Sequence, residues 1–177
     1  MKITENQIAA PFATSDIFGN PVSLESLNGK KVLLSFYRYA SCPLCNLRMH
    51  YFLEKYPAYE QQGLKTLAFF QSPAEKIRQY VVKEHSFPFP IIADPDHAIY
   101  NQYQLQSSTW GYIRGVFSRR MATANKMGLI INDPDGIRTL LPADFLVSPD
   151  QTIHTAYYGK DIGDHIPFEQ IESFLRE

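Results

Sequence analysis

Val32-Leu33-Leu34-Ser35-Phe36-Tyr37 is followed, four residues later, by Cys42-Pro43-Leu44-Cys45, and these two stretches decide the fold. The first is an apolar run bounded by polar residues, which predicts a strand buried on both faces, as in a parallel sheet. Residues 46–56 carry apolar side chains at helical spacing and predict a well-buried helix. The start of a helix presents unpaired N–H groups and a partial positive charge, and both lower the pKa of a thiol. We therefore expect two accessible, reactive thiols at an electropositive helix start.

These two cysteines are the only ones in the 177-residue chain. Two close cysteines do not make a disulfide framework, and in a reducing compartment such a pair is more often catalytic or metal-binding than structural. Residues 1–7 lack the apolar stretch of a signal peptide, so we expect a cytoplasmic protein. No apolar run is long enough to span a bilayer, and no membrane association is expected.

Length and net charge limit the number of domains and the kinds of partner that we expect. One domain over residues 1–177 is the default for a chain of this length, with an insertion at about 104–128. The formal net charge is −1 at pH 7. Such a balance argues against general binding to nucleic acid, although a local charged patch is still compatible with a partner.

The rest of the chain alternates strand-like and helix-like segments. Ser72-Pro73-Ala74-Glu75 spells a capping box with proline at the first helical position, ahead of a helix whose buried face holds Ile77, Tyr80 and Val81. Pro57 is expected to end or kink the helix that follows the cysteines. Further strands are predicted at 66–70, 90–93, 140–147 and 152–157, and a last amphipathic helix at 167–175. This order predicts an α/β fold with a central mixed β-sheet flanked by helices.

Residues 104–128 differ from their surroundings and are interpreted as a helical insertion. The segment carries four basic residues and no acidic one, with apolar side chains between them at roughly helical spacing. Gly111 and Gly115 argue against a single unbroken helix. We expect the insertion to pack near the dithiol, where Trp110 and the basic residues could guide a substrate or partner, or simply cover a sheet edge.

Three stretches carry a family resemblance. Residues 36–45 read Phe-Tyr-Arg-Tyr-Ala-Ser-Cys-Pro-Leu-Cys, residues 141–147 read Leu-Pro-Ala-Asp-Phe-Leu-Val, and residues 158–167 end in Asp-His-Ile-Pro. They resemble the peroxiredoxin-like branch of the alkyl hydroperoxide reductase and thiol-specific antioxidant family, within the thioredoxin superfamily. The resemblance implies a thioredoxin-like fold, in which the insertion precedes a strand that opens with Pro142.

The resemblance also implies roles for the cysteines and for one proline. By analogy with thioredoxin, Cys42 is the attacking thiolate and Cys45, one helical turn later, resolves the resulting mixed disulfide or sulfenic acid. By analogy with peroxiredoxins, Cys45 meets the substrate first, so both orders stay open. Pro142 stands where a peroxiredoxin has arginine, and the likeness to thioredoxin implies a cis proline beside the dithiol.

Three further residues are expected to support the cysteines. Arg38 either adds a positive charge near the dithiol or lies on the surface beyond the strand end. Ser41 stands where the thioredoxin signature has tryptophan, and Pro43 fixes the backbone at the helix start and removes one N–H donor. Asp164 and His165 are expected to cap and orient the last helix, or to pair with each other.

The sequence leaves three functions open. The first is an enzyme, a peroxiredoxin-like thiol oxidoreductase that cycles Cys42 and Cys45 between dithiol and disulfide and reduces peroxides or protein disulfides. It would take electrons from a thioredoxin- or glutathione-type thiol donor and would need no metal, flavin or nucleotide. The second is a redox-switched binding or chaperone-like protein with little turnover. The third is a zinc-stabilised module, although no second Cys-x-x-Cys or His pair offers the two further ligands. A homodimer is possible, and nothing in the sequence selects it.

Overall fold

The strands of the computed structural model, which describes residues 2–82 and 87–177, form a small hairpin and a larger mixed sheet. Their bounds are β1 (Ala13–Ser15), β2 (Pro21–Ser23), β3 (Lys31–Phe36), β4 (Leu64–Phe70), β5 (Ile91–Ala93), β6 (Ala143–Val147) and β7 (Ile153–Tyr158). β1 and β2 form the antiparallel hairpin, and the larger sheet has the order β5-β4-β3-β6-β7. β3, β4 and β5 run parallel, whereas β6 and β7 are antiparallel to their neighbours.

β3 lies at the centre of the larger sheet and is buried on both faces, as its sequence predicts. Val32, Leu34 and Phe36 belong to the apolar core on one face of the sheet, whereas Leu33 belongs to the core on the other. The strand ends at Phe36. Because β3 pairs with β4 on one side and with β6 on the other, the chain leaves the sheet between these two strands. The dithiol follows at the carboxyl end of β3.

The helices flank this sheet and surround the dithiol. Their bounds are α1 (Pro43–Gln61), α2 (Ala74–Ile77), α3 (Ala98–Gln102), α4 (Thr109–Val116), α5 (Arg119–Lys126) and α6 (Phe168–Arg176). α1 continues through Pro57, which neither ends it nor removes Tyr56 and Tyr59 from the core. The buried tyrosines on either side of the proline hold the last turn in place. Within the parts of the chain that the structure describes, no helix combines the length and the apolar character needed to cross a bilayer.

The capping box predicted at Ser72 is wrong. The N-cap of α2 is Pro73, and no side chain caps that helix. The Ser72 hydroxyl instead accepts a hydrogen bond from the Ala40 N–H at 2.7 Å and donates one to Asp135 at 2.9 Å. Ser72 is buried, and these two contacts tie the segment after β4 to the loop that precedes Cys42 and to Asp135. A tertiary partner has therefore replaced the local one.

The residues predicted as an insertion form α4 and α5. The break between the two helices falls at Ser118, which caps α5, and the two glycines lie inside α4. They are small because the helix is pressed against the rest of the protein. A Cβ on Gly111 would lie 2.8 Å from Leu141, and one on Gly115 would lie 2.1 Å from Ile162. α4 is thus fixed against the segments that precede β6 and follow β7, and α5 packs against α1.

Candidate active site

The two cysteines lie at the first turn of α1. Cys42 is the N-cap residue with an extended backbone, and its sulfur accepts a hydrogen bond from the Cys45 N–H at 3.4 Å. The Cys45 sulfur accepts from the Arg38 N–H at 3.3 Å. Pro43 occupies the first helical position, where no N–H is needed. Both cysteines are free thiols with exposed fractions of 0% and 1%. The expectation of accessible thiols is therefore wrong, since the protein covers both sulfurs.

The Arg38 side chain lies beside the cysteines and not on the surface. Its Nη1 atom is 3.1 Å from the Cys42 sulfur, and the residue is 1% exposed. The guanidinium group stands 4.9 Å from the centre of the Tyr39 ring. Its second terminal nitrogen donates to the Arg138 carbonyl oxygen. The structure thus brings a buried cation into contact with the sulfur at the helix start.

This arrangement separates the two thiols in acidity. Burial alone would raise the pKa of Cys42, but the hydrogen bond from the Cys45 thiol and the positive charge of Arg38 outweigh it. The N–H groups of Cys45 and Leu44 act in the same direction, and together these contacts hold the pKa of Cys42 at about 6. Burial and the neighbouring Cys42 sulfur raise the pKa of Cys45. At neutral pH the pair therefore consists of a Cys42 thiolate and a Cys45 thiol.

A further segment is hydrogen-bonded to residues around the cysteines, and we call residues 133–138 the strap. Ser41 donates a hydrogen bond to the Asp133 carbonyl oxygen at 2.6 Å, and Arg38 donates to the carbonyl oxygen at the other end of the strap. Between these ends, Asp135 accepts from Ser72 at 2.9 Å. The sequence predicts only a turn over the first four of these residues. No local sequence pattern indicates the contacts between the strap and the loop that precedes Cys42.

Further contacts hold the strap against the end of β4. The Gln71 side chain accepts from the Ile137 N–H at 2.9 Å and donates to the carbonyl oxygen of the same residue at 3.2 Å. A Cβ on Gly136 would lie 2.5 Å from the Gln71 side chain, so only glycine fits this contact. The Asp133 carboxylate pairs with Lys76 and accepts from the Tyr80 hydroxyl at 2.5 Å.

A second buried polar cluster lies across β3 and β6, where Ser35 and Asp144 are paired neighbours. Ser35 donates to Asp144 at 2.5 Å, the His165 ring lies 3.0 Å away, and the Ile166 N–H donates at 2.8 Å. Burial on its own raises the pKa of Asp144, but His165, Arg48 and Ser35 hold it below its usual value. The sequence analysis missed Asp144, although an acidic residue inside the apolar run of β6 is a recognisable signal.

The predicted roles of Asp164 and His165 are wrong. His165 pairs with Asp144, and Asp164 instead accepts hydrogen bonds from the Tyr157 hydroxyl at 3.0 Å and the Lys160 N–H at 2.8 Å. The N-cap of α6 is a proline, and no side chain caps that helix. Asp164 and His165 are therefore adjacent in sequence but bond to different residues.

The cis assignment of Pro142 is also wrong, because none of the described peptide bonds is cis. Leu141 donates its N–H to the Gln106 carbonyl oxygen at 2.8 Å, and Pro142 accepts from the Gly159 N–H at 2.9 Å. The chain therefore runs directly into β6 with the proline at a position that needs no donor. The trans isomer is favoured for an ordinary X-Pro bond, and this setting retains it.

The described residues do not gather a metal site. Within residues 2–82 and 87–177, no group of three or more His, Cys, Asp or Glu side chains is arranged to hold an ion. Two cysteines and a guanidinium group are also a poor donor set for zinc, which takes four ligands in structural sites and is repelled by a cation. The site is therefore described by its thiols and hydrogen bonds alone.

Fold and site together define a thioredoxin-like α/β protein with a thiol pair of unequal acidity at the start of its first long helix. Residues 6–156 match the model of the AhpC/TSA family. The chain belongs to this family, which confirms the resemblance seen in the sequence.

Relatives and solved structures agree with this assignment. The chain is 24% identical over 129 residues to peroxiredoxin Q of Sedum lineare, covering 73% of this chain and 67% of the relative. It is 30% identical over 97 residues to the thiol-disulfide oxidoreductase ResA of Bacillus cereus, covering 55% and 56% of the two chains. The crystal structure of the peroxidoxin BcpB from Mycobacterium tuberculosis superposes with a TM-score of 0.68 at 15% identity, covering 98% of this chain and 97% of that one. The last comparison confirms the thioredoxin-like fold. The chain spans between about half and two-thirds of the length of the two curated relatives.

Proposed function

We propose that the protein is a thiol-dependent oxidoreductase in which Cys42 attacks the substrate and Cys45 resolves the product. The observation that carries the proposal is the contact between the Arg38 guanidinium and the Cys42 sulfur, which adds to the hydrogen bond from the Cys45 thiol in lowering the pKa of Cys42 to about 6. Cys45 keeps its proton and lies one turn later on the same helix. This assignment follows the order of attack seen in thioredoxin.

A peroxide substrate suits the covered site better than a large disulfide. The Cys42 thiolate attacks one oxygen of a hydroperoxide, the O–O bond breaks, and the leaving alkoxide takes a proton to become an alcohol. Cys42 is then a sulfenic acid. The Cys45 sulfur attacks it, a disulfide forms and water leaves. Two thiols of an external donor return both cysteines to the reduced state and become a disulfide themselves. A small peroxide needs little room, which favours it because both sulfurs are buried.

The same residues support thiol-disulfide exchange when the strap opens. The Cys42 thiolate attacks a substrate disulfide and forms a mixed disulfide, and one substrate thiolate leaves. Cys45 then attacks Cys42, and the second substrate thiolate leaves. Each cycle transfers two electrons and requires a donor of the thioredoxin or glutathione type. The proposal includes a reducing compartment such as the cytoplasm, because the dithiol must be regenerated after every turnover.

Cysteine substitutions test the proposal, and the absence of a third cysteine makes each assignment unambiguous. Peroxide consumption and disulfide reduction are measured side by side, once with a thioredoxin supply and once with glutathione. We expect Cys42→Ser to abolish both activities. Cys45→Ser should still form one equivalent of sulfenic acid on Cys42, detected with dimedone by mass spectrometry, but should not form the internal disulfide. Activity that survives in Cys42→Ser would refute the proposal.

A further inference from the structure

Helix α4 carries an apolar stripe that no other part of the described chain covers. Trp110 and Ile113 lie in the helix and are 69% and 39% exposed, and Phe117, which follows its last residue, is 85% exposed. Their spacing of three and four residues places them on one side of the helix. Aromatic side chains grouped in this way are typical of protein interfaces, whereas apolar residues scattered singly on a surface need no explanation.

The stripe is held rigidly because the opposite side of α4 is pressed against the protein. The absent side chains of Gly111 and Gly115 allow contact with Leu141 and Ile162. Ser108 caps the helix by accepting from the Gly111 N–H at 3.0 Å. A surface that is already ordered loses little conformational entropy when a partner binds.

The start of α4 is bonded to the two residues that follow the strap. The Ser108 N–H donates to the Thr139 carbonyl oxygen at 2.8 Å, and Ser107 forms a β-bridge with Leu140. Arg138, the last residue of the strap, accepts from Arg38 beside the Cys42 sulfur. A partner seated on α4 would therefore lie a few residues from the contact between Arg38 and the Cys42 sulfur.

The segment that carries the stripe is basic. No Asp or Glu occurs between Asp96 and Asp133. Arg120 pairs with Asp161. No ion pair to a described residue is formed by Arg114, Arg119 or Lys126. The surface thus combines an apolar centre with uncompensated positive charge, although the whole chain has a net charge of −1.

We propose that this face of α4 is the docking surface for the protein that returns electrons to the Cys42–Cys45 disulfide. The proposal rests on the proposed function. The partner is a dithiol protein with an apolar patch around its own thiols and acidic residues at its rim. Its dithiol becomes a disulfide as the Cys42–Cys45 disulfide is reduced, so two electrons pass between them. A second copy of this chain fits poorly, because it would bring two sets of cations together. A membrane surface fits poorly as well, because only three apolar side chains would enter it.

The test compares a protein donor with a small thiol in the same peroxidase assay. Purified thioredoxin, kept reduced by its reductase and NADPH, is one donor, and dithiothreitol is the other. We expect the double variant Trp110→Ser, Phe117→Ser to raise the KM for thioredoxin at least about tenfold, the usual effect of losing central aromatic contacts. Turnover with dithiothreitol should be unchanged. Phe18→Ser is the matched control, since Phe18 is 66% exposed but lies in the β1–β2 hairpin.

A charge variant keeps the test decisive if the apolar variant is poorly folded. Arg114→Glu, Arg119→Glu leaves the stripe intact and should raise the KM for thioredoxin several-fold, with a weaker dependence on salt. An unchanged KM in both variants, or a wild type that accepts dithiothreitol but not thioredoxin, overturns the docking proposal. So does a stripe-dependent dimer in gel filtration or stripe-dependent binding to phosphatidylserine vesicles. A wild type that turns over with neither donor refutes the proposed function instead.

Discussion

Two buried polar clusters lie at the same sheet and use their charges differently. In the first, a Cys42 thiolate contacts the Arg38 guanidinium. In the second, the Asp144 carboxylate contacts Ser35 and His165 and also accepts a backbone N–H. Both place a negative group beside a cationic or titratable partner, away from water. Their chemistry nevertheless differs, because a thiolate is a nucleophile that can be oxidised, whereas the Asp144 carboxylate is held between two strands and the segment before the last helix.

The two clusters show two roles of a buried anion, one that stabilises the fold and one that reacts. A carboxylate that receives three hydrogen bonds is stabilised as an anion and has no reason to leave its partners. A thiolate beside the Cys45 thiol, one guanidinium and two helix N–H groups is stabilised enough to form at neutral pH, and the thiolate is the form of sulfur that attacks a substrate. The first cluster should therefore govern the rate of thiol chemistry and the second the stability of the fold.

The largest effect should come from the structural cluster. We expect Asp144→Asn to lower the free energy of unfolding by about 3 kcal/mol, because it leaves buried polar partners of the carboxylate without their charge. Urea unfolding would show a lower midpoint with an unchanged slope. The pKa of Cys42 should stay the same. A shift of that pKa comparable to the loss of stability would mean that the two clusters act as one.

The pH dependence of stability should reveal the reactive cluster. The pKa of Cys42 is lowered to about 6 by folding, so its thiolate stabilises the reduced protein at high pH and this contribution is lost as the pH falls through about 6. The pKa of Cys45 is raised, and its contribution is lost only as the pH rises above about 8.5. Between about pH 5 and about pH 8, reduced wild type should therefore gain about 2 kcal/mol relative to Cys42→Ser. Urea unfolding of both proteins under reducing conditions measures this difference, and parallel curves would contradict it.

A smaller effect is expected when the cation is removed. Arg38→Met should raise the pKa of Cys42 by about one unit, or about 1.4 kcal/mol. Ultraviolet titration of the thiolate would show the shift, and this readout does not depend on access to the sulfur. Arg48→Met is the matched control, because Arg48 donates to the Ile166 carbonyl oxygen beside the structural cluster. An equal pKa shift in both variants would show that a buried cation at either place has the same effect.

The smallest effect concerns the strap. Ser72→Ala removes a buried hydroxyl that bonds both to Ala40 and to Asp135 of the strap. The loss of about 1 kcal/mol of closure should speed alkylation of Cys42 about fivefold. Ser26→Ala, an exposed serine that bonds within its own turn, should leave the rate unchanged. A rate that does not respond to Ser72→Ala would show that the strap does not limit access.

Much of this architecture follows from local sequence. The apolar run of β3, the tetrapeptide with both cysteines and the helical spacing after it predict the strand, the turn and the helix. The sequence left two positions open for the Arg38 side chain, beside the dithiol or on the surface. It also left open which of the two cysteines attacks first. Neither could be decided from sequence, because both depend on which atoms lie within hydrogen-bond distance of the sulfurs.

The wrong predictions for Ser72 and for the Asp164–His165 pair share a cause, which is competition from distant partners. Ser72 satisfies the rules for a helix cap, but the strap and the cysteine loop offer its hydroxyl better-placed partners. His165 follows Asp164 directly, yet its ring pairs with Asp144, 21 residues earlier in the chain. The strap was missed for the same reason, since Ser41 bonds to Asp133, 92 residues later in the chain. Local patterns carry no record of such contacts.

The burial of Cys42 has a kinetic consequence. A buried sulfur becomes available to a large molecule only when the residues around it move apart, and the frequency of that opening is a property of the protein alone. For bulky oxidants, turnover should level off at this frequency however much oxidant is supplied. With hydrogen peroxide, which is little larger than water, the rate of turnover should continue to rise with oxidant concentration beyond that plateau.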